Sequence, residues 1–159
     1  MKTTLRLAAL LLALLPFTSK AQFTFSDVQY WVGTGSDSTL LVVDFQDGSW
    51  DSCYAWGYRY DGITTATDMV NDIAAADPNF DPVFSGIYLN DLTYGNHAGM
   101  FGAPGYWGSY SGADLASLAQ NGGLTDTLVS GDWFGLSYTD FNPELLPNEP
   151  IAAFEPVLI

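Results

Sequence analysis

Between residues 23 and 60 the chain alternates apolar and polar positions in three blocks separated by turn residues. In Phe23 to Val32 the apolar positions are Phe23, Phe25, Val28, Tyr30 and Val32, with an irregularity at Ser26-Asp27, and this predicts a first strand. Gly33-Thr34-Gly35-Ser36-Asp37-Ser38 supplies a turn. Thr39 to Phe45 is almost continuously apolar, the pattern of a strand buried on both faces. Asp47-Gly48 turns the chain again. Ser52 to Tyr60 then alternates cleanly, with Tyr54, Trp56, Tyr58 and Tyr60 on one face and Cys53, Ala55, Gly57 and Arg59 on the other. Three strands joined by short turns predict an N-terminal three-stranded meander.

The rhythm then changes to helical. Ala66, Met69, Val70 and Ile73 fall at the spacing of one helix face, with Asp68, Asn71 and Asp72 on the other. Thr65 caps this helix, and Asp68 three residues later completes a capping box. Asp77-Pro78 ends it. One helix is therefore expected at about 65–76. Beyond Val83 the pattern returns to strands, at Ser85–Leu92 and Gly105–Ser111, with a glycine-rich loop at 94–104 between them. Leu115–Leu118 fits a helical turn or a short strand. Thr125–Val129 and Trp133–Tyr138, separated by Ser130-Gly131-Asp132, fit a closing hairpin or two short strands. The fold class is α+β and β-dominated. It comprises one domain over 22–141 and a proline-containing C-terminal tail, 142–159, extended and either laid along the body or partly loose.

Residues 1–21 read as a secretory signal. A basic start with Lys2 and Arg6 precedes the uncharged run Leu7–Leu15, then Pro16, then small residues at Ser19 and Ala21 before Gln22. The apolar run is shorter than the roughly 20 residues a membrane span needs. A secreted or periplasmic location is expected, with no membrane insertion and no lipoprotein cysteine. Cleavage also changes the charge. The 159-residue chain has four basic residues against 18 acids. Loss of Lys2, Arg6 and Lys20 leaves Arg59 alone against those 18, a net charge of −17. Such a field repels phosphate backbones, so nucleic acid is excluded as a partner and neutral or cationic ones are favoured.

Candidate chemistry is sparse. Cys53 is the only cysteine, so no internal disulfide forms, and its apolar neighbours mark it as a buried small hydrophobe. His97 is the only histidine, which leaves no zinc-type ligand set, and no G-x-S-x-G elbow accompanies it. Asp44, Asp47 and Asp51, or the turn Ser36-Asp37-Ser38, could supply calcium oxygens, although neither has the spacing of a calcium loop. Arg59 is expected to pair with a nearby aspartate and hold the meander. Aromatic residues are the richer signal, 24 in all. Tyr94, Trp107, Tyr110 and Trp133 lie in or beside loops near the expected sheet edge. They could form a ligand platform, for instance for a sugar ring, or they could be packing residues.

Two resemblances add to this reading. Val32-Gly33-Thr34-Gly35, Leu41–Gly48 and Ala55-Trp56-Gly57-Tyr58-Arg59-Tyr60-Asp61-Gly62, followed by Asp68-Met69 and Ala74–Pro78, resemble a family of uncharacterised bacterial secreted proteins with a WGYRxDG-like segment. The stretches Ala66–Ala76, Gly86–Leu89, Tyr106-Trp107-Gly108-Ser109-Tyr110 and Gly131–Tyr138 resemble the C-terminal module of transcobalamin-like proteins. The family's Asn-Gly turn after the YW strand is here Ser111-Gly112. The second resemblance implies a β-grasp-like fold and a corrinoid (cobalamin) as ligand, its flat face set on the aromatic platform. The expected function is thus a non-enzymatic binding module without a cofactor. A carbohydrate-binding or adhesive, structural surface protein is the alternative.

Overall fold

A computed structural model describes residues 22–102 and 105–156; the stretch expected to be a secretory signal, 1–21, lies outside the described residues. The described residues form one α-helix and ten strands in two sheets, so the chain is α+β and β-dominated. In order, the elements are β1 (Trp31–Gly33), β2 (Asp37–Asp44), β3 (Cys53–Tyr60), α1 (Ala66–Ala76), β4 (Phe80–Ser85), β5 (Tyr88–Tyr94), β6 (His97–Gly99), β7 (Tyr106–Gly112), β8 (Ala119–Gln120), β9 (Trp133–Thr139) and β10 (Ile151–Ala152). The large sheet runs β1-β3-β2-β9-β7-β8, and β10 also pairs with β3; the small sheet runs β4-β5-β6.

At the centre of the large sheet is β2, antiparallel to β3 and parallel to β9. Its continuous apolar run fills two cores. Leu41 and Val43 face α1, where Met69, Val70 and Ile73 lie fully buried beside Trp56, Phe134 and Leu136. Leu40 and Val42 face the opposite way, against Tyr110, Leu118 and Trp133, under a cover that includes Phe23, Phe25 and Leu115. Fully burying one such aliphatic side chain contributes about 1.5–3 kcal/mol, so the double-faced strand anchors the fold. The helix begins as its sequence predicts. Thr65 Oγ1 accepts from the Asp68 amide, and the Asp68 carboxylate accepts from the Thr65 amide at 2.9 Å.

The N-terminal meander does not form. Asp27 Oδ2 accepts from the Thr24 amide and hydroxyl, which winds Phe25–Asp27 into a 3₁₀ turn and leaves only Trp31–Gly33 extended. That short β1 then pairs with β3, in parallel, instead of with β2. Trp31 lies opposite Gly57, and a Cβ on Gly57 would come within 2.4 Å of the indole, so the missing side chain is what lets the ring dock. Three further expectations change. Ser85–Leu92 is split by a turn at Gly86 (φ 63°), giving β4 and β5 in place of one strand. The 94–104 loop contains β6, which pairs back on β5. Thr125–Val129 is not a strand; its one ladder contact is the isolated bridge Thr65–Thr127, and β9 pairs with β2 and β7 in place of a closing hairpin. Leu115–Ser117 is a 3₁₀ turn.

The tail, described to residue 156, is stitched into the body. Asn148 donates its amide and its side-chain nitrogen to Asp44 Oδ2, each at 2.8 Å, and β10 adds to β3 with Ala153 fully buried behind it.

Candidate functional site

The four expected platform residues are placed in two cores, not on one surface. Tyr110 is fully buried and Trp133 nearly so, both in the cluster on the far side of the sheet from α1. Tyr94 and Trp107 pack against the helix-side cluster. On β7, Trp107 and Tyr110 are three residues apart, which in a period-two strand sends them to opposite faces. No common platform forms, because β9 is inserted between β2 and β7 so that the strands carrying Trp107, Tyr110 and Trp133 are internal to the large sheet, and Tyr94 is on β5, the middle strand of the small one. Tyr94 meets Tyr54 and Trp56 edge-on at 4.8 Å, and burial, with Asp77 nearby, pushes its hydroxyl up to about 12. Trp107 donates Nε1 to the Gly99 carbonyl at 3.0 Å and stands edge-on to Phe45.

Other expected sites also resolve differently. Asp44 is fully buried. Oδ1 accepts from the Gln46 amide (2.9 Å) and Ser52 Oγ (3.1 Å), and Oδ2 from Gln46 Nε2 (3.0 Å) and both Asn148 nitrogens. Five donors leave no oxygen for calcium, and Asp47 points elsewhere. Among the described residues no group of three His, Cys, Asp or Glu side chains could hold a metal. Arg59 makes no ion pair among them. Its guanidinium lies 4.9 Å from the Trp31 ring centroid, a cation–π contact in place of the expected carboxylate. Cys53 is buried and gives its thiol to the Asn148 carbonyl; burial and the nearby Asp44 push that thiol well above its ordinary range.

The histidine proves to be the centre of a polar chain. Nδ1 of His97 lies 2.6 Å from Asp47 Oδ2, and Nε2 lies 3.2 Å from the Tyr54 hydroxyl. The carboxylate only accepts, so Nδ1 carries the proton; in the neutral ring Nε2 then accepts from Tyr54. Burial of Asp47 raises its carboxyl, but hydrogen bonds from Ser49 and His97 outweigh that and hold it at about 2. Tyr54 is shifted the other way, by burial and by Asp51 and Asp47, so its hydroxyl keeps its proton. The chain has the order of an acid–base relay. Structurally it is a clasp joining β6 to β3 and to the turn after β2.

In front of this clasp is an open cleft of about 480 Å³. It arises where the parallel strands β2 and β9 end together, with Asp44 opposite Ser137, so the segments that follow emerge side by side. Phe45, Met100, Tyr138 and Leu145 supply apolar walls, and Asp47 and Asp140 supply carboxylates. The Tyr138 hydroxyl donates to the Met100 carbonyl at 2.6 Å, tying the wall from β9 to the segment after β6. Beside Met100, Phe101 and Tyr106 meet edge-on at 5.4 Å, and both are exposed. Exposed apolar surface thus borders this cleft, which is the candidate site. No protein-family model, curated protein or solved structure matches the chain.

Of the residues around this cleft, the sequence drew attention to Asp47 as a calcium ligand and to His97 as an isolated imidazole. It did not join them. They are 50 positions apart and meet only because the small sheet docks on β3. A usable signal was present in Met100-Phe101, two large apolar residues between glycines in a stretch with no strand pattern.

Proposed function

We propose that this chain is a secreted or periplasmic, non-enzymatic binding module that receives an apolar-bodied, positively charged group in the cleft between Asp47 and Asp140. That group is a side chain of a basic partner or an amine-bearing small molecule. The observation carrying this reading is the pairing of apolar walls with two carboxylates, one of them held ionised to about pH 2 by its own hydrogen bonds. Tyr138 presents ring surface that attracts a cation's alkyl stem and charge together, while Phe45 is buried behind the cleft. The charge of the mature chain draws such a ligand in and repels anions. The volume lies within the range of small-molecule sites. The hairpin β2–β3, the crossing helix and the central parallel pair β2–β9 support reading the frame as β-grasp-like, in keeping with the transcobalamin-type resemblance.

Calorimetric titration with an alkylammonium or benzylammonium ion against its neutral alcohol counterpart tests the proposal. Binding of the amine, about tenfold weaker in Asp140→Asn and in Met100→Ala, is expected. Equal binding of the alcohol, or an unchanged Met100→Ala variant, would remove the cleft from consideration. Cobalamin belongs in the same titration. A visible-spectrum shift with co-elution, unaffected by those two substitutions, would assign the corrinoid expected from the resemblance to another surface.

A further inference from the structure

A second groove lies away from the cleft, where the first described residues meet the segment leading into β10. Its volume is about 730 Å³. Trp50 stands over it at 86 % exposure, and Phe154 lines it at 61 %. The other four tryptophans are buried or half-buried, so Trp50 is the exception within its own residue type. An indole held in water forgoes about the full burial gain of a large aromatic side chain, which marks the position as a contact surface.

Its support is fixed. The turn carrying Trp50 is closed by Phe45 N–H to the Ser52 carbonyl at 2.9 Å, and Asp47 Oδ1 accepts from the Ser49 amide and hydroxyl. The two carboxylates lining the groove are already engaged. Asp27 accepts from Thr24, and Glu149 Oε1 accepts from the Phe23 amide. What the groove offers in addition is the exposed carboxamide of Gln29. Flat rings beside an uncharged donor–acceptor side chain match a pyranose. Its C–H face lies on an aromatic ring, and its hydroxyls both donate and accept as a carboxamide does. The net negative charge excludes acidic sugars, and no cationic side chain lines the groove to recruit one.

We infer that the Trp50 groove binds a neutral saccharide, stacked on the indole and hydrogen-bonded to Gln29. The inference is independent of the amine cleft.

Electrophoresis of the mature chain through gels containing neutral polysaccharides (β-glucan, mannan or xylan), with a polyuronate gel beside them, supplies the test. At least one neutral polymer should retard the protein. Trp50→Ala should weaken that retardation tenfold or more, Trp50→Phe should retain part of it, and Ile63→Ala, exposed and outside both cavities, should leave it unchanged. Ligand should also protect tryptophan emission from acrylamide quenching, and Trp50→Ala should abolish the protection. Trp50 is outside both cores, so its variants fold, and near-ultraviolet circular dichroism verifies this. No retardation by any neutral polymer would overturn the inference, as would retardation by the polyuronate alone. Concentration-dependent self-association that Trp50→Ala abolishes would also overturn it, by making the groove a contact between copies.

Discussion

Removing the Asp44 carboxylate should cost more stability than any other single polar substitution in the molecule, and the structure fixes how the loss divides. Its five donors come from three separated places: Gln46 and Ser52 on either side of the β2–β3 turn, and Asn148 in the tail. In Asp44→Ala the carboxamides of Gln46 and Asn148, which border solvent, can turn to water. The Gln46 and Asn148 backbone amides and Ser52 Oγ are the donors left without that escape. At about 1–3 kcal/mol for each stranded buried group, offset by the relieved desolvation of the carboxylate, the net cost is about 3–5 kcal/mol. For a chain of this size that lowers Tm by roughly 10–20 °C. Asp44→Asn keeps the shape but turns an NH₂ toward donors, and should cost about 2–4 kcal/mol. Urea unfolding measures both. Hydrogen exchange supplies the discriminating readout, because the tail from 142 to 156 should lose protection before the β2–β9 ladder does. A double-mutant cycle with Asn148→Ala should show a coupling of about 1–2 kcal/mol. An Asp44→Ala variant within 1 kcal/mol of wild type, with the tail still protected, would refute the reasoning.

The clasp yields two further expectations. His97→Ala should cost about 1–2 kcal/mol in urea unfolding and expose β6 first in hydrogen exchange, since Asp47 and Tyr54 both lose their partner. Because the Asp47 carboxyl is held at about 2, below its ordinary value of 3.8, the unfolded chain takes up that proton first. Stability from this group is therefore complete above about pH 4 and declines as pH falls toward 2; Asp47→Asn should flatten that slope in an acid titration. Gly99→Ala would put a Cβ within 2.4 Å of the Trp107 ring, which Phe45 and Tyr138 hold on its other sides. It should cost about 1–3 kcal/mol and disturb the Trp107 signal in near-ultraviolet circular dichroism. Cys53 should react with a disulfide reagent only at the rate of unfolding, because its thiol is buried and shifted away from the thiolate; fast native-state labelling would contradict that placement.

The parts of the fold legible in the sequence are those whose pattern is generated by their own surroundings. The uninterrupted run Thr39–Phe45 announced burial on two faces, and β2 has it. The tyrosine–tryptophan alternation of residues 54–60 gave one face of β3 correctly, because a period-two pattern is set by the strand itself. Thr65 and Asp68 marked the helix start through a contact only three residues long. Strand order is a different kind of fact. β1 was expected beside β2, its neighbour in sequence, and it lies beside β3 because Gly57 leaves a slot that Trp31 fills. No local rhythm records that pairing.

The same distinction explains the displaced platform. A strand near the end of the chain reads as an edge strand, and aromatics on an edge read as surface; β9 instead enters the centre, so Trp133 and Tyr110 are enclosed by segments distant in sequence. Tyr88 and Tyr106 are exposed at the first positions of β5 and β7, and other exposed aromatics lie outside the strands altogether. Trp50 occupies a turn between Ser49 and Asp51, Phe101 follows a two-residue β-turn and a three-residue strand, and Phe154 lies past the last strand. In a strand, a large ring next to polar residues is explained by alternation and has a buried face waiting for it. In a turn it has no such face, and its exposure must be compensated by something outside the chain. For a sequence this rich in aromatics, the useful question is therefore which rings lack a strand to bury them. Among the rings it selects are Trp50 and Phe101, one beside each of the two cavities from which binding is proposed.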